Sequence, residues 1–186
     1  MTRVINPLPE NIGFVRQNGA AYVRDTASDI TVGRSFGAND RGFFQFSTAG
    51  LKPHANRIEL RFELVQKTGS PLDTQNLKVV WPPTANSGDD IAKTPDDELW
   101  NSIDSAEIVL GELSIATPVG VTKLALNELG VSLLNELVEF GGEFNAGLRI
   151  QGSPLGVKWT LSRSFGIKLA IGGLGGSQRR LMGVGR

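Results

Sequence analysis

Cysteine is missing from this 186-residue chain, so disulfides, thiolate metal sites and cysteine nucleophiles are all excluded. Histidine is almost missing: His54 alone cannot build a histidine-rich metal site within one chain. Net charge is missing too, since 19 basic side chains balance 19 acidic ones. That removes a global electrostatic grip on nucleic acid or on an anionic membrane. No segment approaches the roughly 18–20 apolar residues that a membrane span needs. The opening Met1-Thr2-Arg3-Val4-Ile5-Asn6-Pro7 has no apolar run of a secretory signal, so cytoplasmic synthesis is expected.

Glycine is what the chain has in plenty, 23 residues together with 9 prolines, mostly between short apolar runs. Such punctuation predicts many strands joined by tight turns. The clearest signal is Arg41-Gly42-Phe43-Phe44-Gln45-Phe46-Ser47, a turn, and then a stretch of strict alternation. Ile58, Leu60, Phe62 and Leu64 fall on one face of it, and Arg57, Glu59, Arg61 and Glu63 on the other. A period of two marks a sheet with one face in a core and one in water, and predicts an all-β sandwich.

Upstream, Ile12 to Arg16 and Ala20 to Arg24 flank Asn18-Gly19, a favoured hairpin turn. Ile30 to Phe36 reads as a third strand, with Gly37-Ala38-Asn39-Asp40 as a turn after it. Downstream, Leu77 to Trp81 is a strand stopped by Pro82-Pro83. Ile108 to Ile115, with a bulge at Gly111, is another, and so are Val121 to Leu126, Phe144 to Ile150, Val157 to Leu161 and Phe165 to Ile171. Two short helices are predicted in the connections. The first has Thr94 as cap, Pro95 at its first position and Asp96, Asp97 and Glu98 at its positive end; it carries Leu99, Trp100 and Ile103. The second is capped by Asn127, repeats Leu129, Leu133, Leu134 and Leu137 at helical spacing, and ends at Gly141-Gly142. The organisation expected is an N-terminal arm and first strand over residues 1–19, a sandwich over 20–171, and a Gly-rich tail over 172–186.

Candidate chemistry is thin. His54 sits in a turn, and no Gly-x-Ser-x-Gly nucleophile motif accompanies it, so an exposed turn histidine is preferred to a catalytic one. Asp89, Asp90, Asp96 and Asp97 gather without EF-hand spacing, and helix-start acids explain half of them; no metal is expected. Glu59 and Glu63 alternate with arginines and read as cross-strand pairs rather than a glycosidase couple. The Gly172–Gly176 run lacks the Gly-Lys-Ser/Thr ending of a phosphate loop. Arg179, Arg180, Leu181, Met182 and Arg186 suit contact with a neighbouring subunit better than nucleic acid. Trp81, Trp100, Trp159 and Tyr22 could stack on sugar rings, although aromatics on a sandwich are more often core; of the four, Trp81 and Trp100 are the ones whose partial exposure is expected first, and they are the candidate carbohydrate-binding residues.

The order of these signals resembles the DNRLRE-type jelly-roll modules and the carbohydrate-binding modules of the same shape. Their early Ala-Tyr-Val strand is similar to Ala21-Tyr22-Val23, and their Arg-Gly-Phe-x-x-Phe strand and Ser/Thr-Gly-Leu-Pro turn to Arg41 through Phe46 and Thr48 through Pro53. Their Leu-x-Phe-x-Leu strand is similar to Ile58 through Leu64, and their Leu-Asn, short helix and Phe-x-x-Gly-Leu-Arg to Leu126-Asn127 through Arg149. The resemblance spans roughly residues 20–171 and implies a two-sheet jelly roll, a shape also used in phage decoration and fibre proteins. The expectation is therefore a non-enzymatic virion protein of a bacteriophage, without cofactor. It would be made in the host cytoplasm and serve as a capsid decoration (cement) protein or a fibre or spike component. Its expected partners are the major capsid or other virion proteins and further copies of itself, with a trimer as the first state to test; neither nucleic acid nor membrane is expected. A carbohydrate-binding jelly-roll module is the alternative.

Overall fold

In the computed structural model, residues 3–7, 9–52, 55–68, 76–83, 91–114, 116–150 and 156–172 are described. The alternating stretch forms β6 (Arg57–Thr68), whose Ile58, Leu60, Phe62 and Leu64 are all buried. Each such side chain contributes roughly 1.5–3 kcal/mol of apolar burial. The β6 strand is the spine of one layer. Along one of its edges lie β12 (Lys168–Gly172) and β11 (Lys158–Leu161), end to end; along the other lies β9 (Gly120–Ala125). Outside β12 comes β1 (Arg3–Ile5), so part of the expected N-terminal arm is already a strand of the sheet, with Ile5 packed on the core.

The aromatic stretch forms β5 (Ala38–Ser47), the spine of the other layer. It pairs with β10 (Glu143–Ile150) on one edge and β2 (Ile12–Asn18) on the other. Beyond β10 come β7 (Leu77–Val80) and β8 (Val109–Leu113), and beyond β2 comes β3 (Ala21–Asp25). The two spines are consecutive in sequence yet do not pair with each other, so successive strands β5 and β6 belong to different layers. A shared strand, β4 (Ile30–Ser35), pairs with β11 through Gly33 and with β5 from Gly33 onward, joining all 12 strands into one antiparallel sheet folded over itself. The main core fills the fold with β6, Phe44, Phe46, Phe144, Leu148 and Trp159 among others. The result is the all-β, jelly-roll-like sandwich with two helices in its connections that the sequence predicts.

Three local expectations are corrected. Gly37-Ala38-Asn39-Asp40 is not a turn: Phe36-Gly37 makes the two-residue hairpin, with Ser35 opposite Ala38, and Asp40 is a buried strand residue. Asp40 is held there by Arg16 Nε and Nη2 at 2.8 and 3.0 Å and by the Thr31 hydroxyl at 2.7 Å. The β8 irregularity falls at Leu110, the extra residue where the partner register shifts between Val79 and Val80. Finally, α1 (Asp96–Ser105) begins one residue later than expected, with Pro95 as its flanking residue and no side-chain cap from Thr94. In contrast, α2 (Glu128–Phe140) matches its sequence signals. The Asn127 side-chain Oδ1 accepts from the Gly130 N–H, and left-handed Gly141 closes the helix with its N–H donated to Leu137 O.

Helix α1 covers the outer face of the β5 layer and buries a second core: Val15, Phe43, Val80, Ile91, Leu99, Trp100, Ile103 and Ala106. Gly147 permits this close approach, since a Cβ there would lie 2.7 Å from Ile103. Phe43 and Phe44 are therefore buried on opposite faces of one strand, which is why β5 reads as a run of apolar residues and β6 as an alternation.

Candidate functional site

The helix α1 is riveted at both ends by arginines from the sheet beneath it. At its start, Arg24 of β3 donates from Nε to Asp96 Oδ1 at 2.9 Å and from Nη1 to Ile91 O at 3.0 Å, with Nη2 on Thr94 O. At its end, Arg41 of β5 donates from Nε and Nη2 to Asp104 Oδ1 at 3.1 and 2.5 Å, and Arg149 Nη1 donates to Asp104 O. Trp100 lies between the two ends, its Nε1–H donated to Asn39 O at 3.0 Å, with the Arg41 guanidinium 4.8 Å from its ring centroid and Tyr22 edge-on at 5.9 Å. Burial pulls the Arg41 pKa below its ordinary value, although its hydrogen bond to Asp104 acts the other way. These polar groups are committed to holding structure.

That finding corrects the expected exposure of the two candidate sugar-binding tryptophans. Trp100 is only 6% exposed because it is the apolar anchor of α1, and Trp81 only 5% because it packs in the main core beside Phe144. Neither offers a ring face to a ligand in this conformation. Trp159 is fully buried, and Tyr22, half-buried, packs on Trp100. Asp96 is engaged with Arg24, while Asp97 is exposed. His54, Asp89, Asp90 and the proposed contact residues Arg179, Arg180, Leu181, Met182 and Arg186 lie outside the described residues. Among those described, no three His, Asp or Glu side chains gather as a metal site, and no helix is long and apolar enough to cross a membrane.

What remains available is the outer face of the β6 layer, which no helix among the described residues covers. Cross-strand register orders its side chains into rows. Val4, Ala170, Glu59 and Ala125 form one row across β1, β12, β6 and β9. Lys168, Arg61 and Lys123 form the next, and Glu63 with Val121 the one after. An open depression of about 270 Å³ is sunk into this face, lined by Arg57, Glu59, Arg61, Lys123, Ala170 and Gly172. Glu59 stands between two arginines, with Oε1 2.7 Å from Arg57 Nη2 and Oε2 3.3 Å from Arg61 Nη2. The Lys168 ammonium lies 4.1 Å from the centroid of the Phe165 ring. Sequence reasoning identified β6's outward charges but missed the row of cations, because Lys123 and Lys168 reach it only through strand register.

Burial opposes ionisation of Glu59, but the hydrogen bond from Arg61 and the charge of Arg57 outweigh it, and its pKa lies below the ordinary 4.5. A depressed carboxyl stabilises the fold fully above its unfolded pKa and loses that contribution as pH falls through its folded value. Glu59→Gln is therefore expected to flatten the acid limb of a stability–pH curve as pH falls through and below the ordinary carboxyl value of 4.5. Urea unfolding across that range checks it, and parallel curves for the two proteins would count against the pairing.

No protein-family model matches this chain, and no curated protein matches it.

Proposed function

We propose that this protein is a non-enzymatic structural subunit of a bacteriophage virion, a capsid decoration (cement) protein or a small fibre or spike component that works through protein contacts. The observation that carries the reading is the distribution of its accessible apolar groups. Phe36, at the β4–β5 hairpin tip, is 88% exposed, and Phe140, at the end of α2, is 79% exposed. The two stand at opposite ends of β5, since Ser35 pairs with Ala38 and the chain after α2 returns to pair Glu143 with Ser47. Anchors of this kind at the two ends of a rigid sandwich suit a subunit gripped by neighbours at both ends. The resemblance of residues 20–171 to jelly-roll modules supports the same reading. A homo-oligomer, with a trimer as first candidate, and contacts from residues 172–186 are part of the proposal.

Mass spectrometry of purified virions should find this chain at a copy number set by particle symmetry. Particles grown without it should take up the purified protein saturably, and Phe36→Ser with Phe140→Ser should weaken that uptake. Virions devoid of its peptides would end the reading. The burial of Trp81 and Trp100 leaves no specific observation in favour of a carbohydrate-binding role.

A further inference from the structure

Nothing in the fold requires the row Lys168–Arg61–Lys123. Three cations stand directly opposite one another across β12, β6 and β9, an arrangement in which like charges destabilise a sheet. Lys123 is exposed and has no ion-pair partner among the described residues. An acid there would serve the sheet better. Arg61 is also under-used as a donor: its buried Nε has no hydrogen-bond partner among the described residues, and its Nη2 contacts Glu59 at 3.3 Å.

We propose that this row, with the depression beside it, is a docking site for the carboxylates of an acidic protein segment. Ala170 and Gly172 line the depression with little bulk, so a side chain can descend between the cations. The depression carries Arg57, Arg61 and Lys123 against the single acid Glu59, so its net positive charge matches a carboxylate, and the planar Arg61 guanidinium matches it in shape. Exposed Val4 and Val121 stand in the rows on either side and suit apolar neighbours of the docked acid. With Arg57 and Arg61 already sharing Glu59, the few cations of this face give an extended phosphodiester backbone only a weak, salt-sensitive hold. No aromatic side chain lines the depression, so sugar stacking has no platform there.

The inference rests on the chemistry of this face, and it fails separately from the virion reading. Calorimetric titration of the full chain with a synthetic Glu-rich peptide flanked by valines should show saturable binding that weakens as salt rises. Lys123→Glu combined with Lys168→Glu should reduce binding about tenfold or more, while Lys52→Glu, exposed elsewhere, should leave it unchanged. Lys123→Glu alone should raise the melting temperature while lowering peptide affinity, a pairing that a purely structural lysine would not produce. The proposal is overturned if the peptide does not bind saturably. It is equally overturned if inorganic phosphate binds as tightly as the peptide, which marks a free-anion site, or if single-stranded DNA binds more tightly.

Discussion

Asp104→Ala is expected to destabilise the protein more than Arg41→Met, although the two residues form one ion pair. The partners are unequally buried: Arg41 is 2% exposed and Asp104 44%. Removing the acid leaves a buried guanidinium under α1 with the Asp104 counter-charge gone, Asn39 Oδ1 and Asp40 O being neutral acceptors among those that remain. Stranding a buried charge in this way costs on the order of 3 kcal/mol. Removing the base frees a carboxylate that water already reaches, and methionine refills much of the space under Trp100. Loss of the cation–π contact and of the hydrogen bonds then leaves a deficit of about 1–2 kcal/mol. Urea unfolding midpoints decide the order, and Arg41→Met proving the worse would mean that packing against Trp100, not charge, holds the helix end. Near-ultraviolet circular dichroism should report both losses through the Trp100 environment.

The same rivets show how much of the fold could be read in advance. The outward and inward faces of β6 were legible because one face meets water, and alternation survives wherever that is true. The strand β5 was legible as a strand but not as the floor of a second core, since α1 lies over it from far along the chain, Ser47 ending the one and Asp96 beginning the other. Asn39-Asp40 carries turn composition, and the reason it forms strand instead is tertiary: Arg16, Thr31 and Trp100 supply partners from elsewhere in the fold. Trp81 and Trp100, the aromatics whose sequence context points most to the surface, are in the core for a related reason. A proline-bounded segment and a short acidic helix look peripheral in sequence, yet each lowers its tryptophan into a core. The cationic row lay beyond local reading altogether. It joins strands at residues 61, 123 and 168, and shifting any one register by a single residue would turn that strand's lysine or arginine inward.

Gly33→Ala is the substitution expected to do most damage. Gly33 is the residue at which β4 changes partner, opposite Lys158 of β11 and Asp40 of β5 at once. Its φ of 120° is closed to other residues, and a Cβ would fall 2.2 Å from the Val157 carbonyl oxygen and 2.8 Å from Ile150 Cδ1. The obstacle is backbone, and that backbone is itself tied down, since Arg34 N–H donates to Val157 O at 2.7 Å and Gly156 N–H to Arg34 O at 2.9 Å. Relief therefore requires breaking the β4–β11 junction that links the two layers, at about 4 kcal/mol or more. Gly19→Ala is the matched control. Gly19 also has positive φ, 61°, but nothing lies within 4 Å of its would-be Cβ, so only the conformational penalty of about 1 kcal/mol applies. If chemical denaturation gives the two variants equal losses, backbone conformation alone accounts for glycine at position 33, and the junction tolerates movement. A much larger loss at Gly33, with native-state hydrogen exchange rising in β4 and β11 together, identifies that crossing as the point where the sheet is held folded over itself.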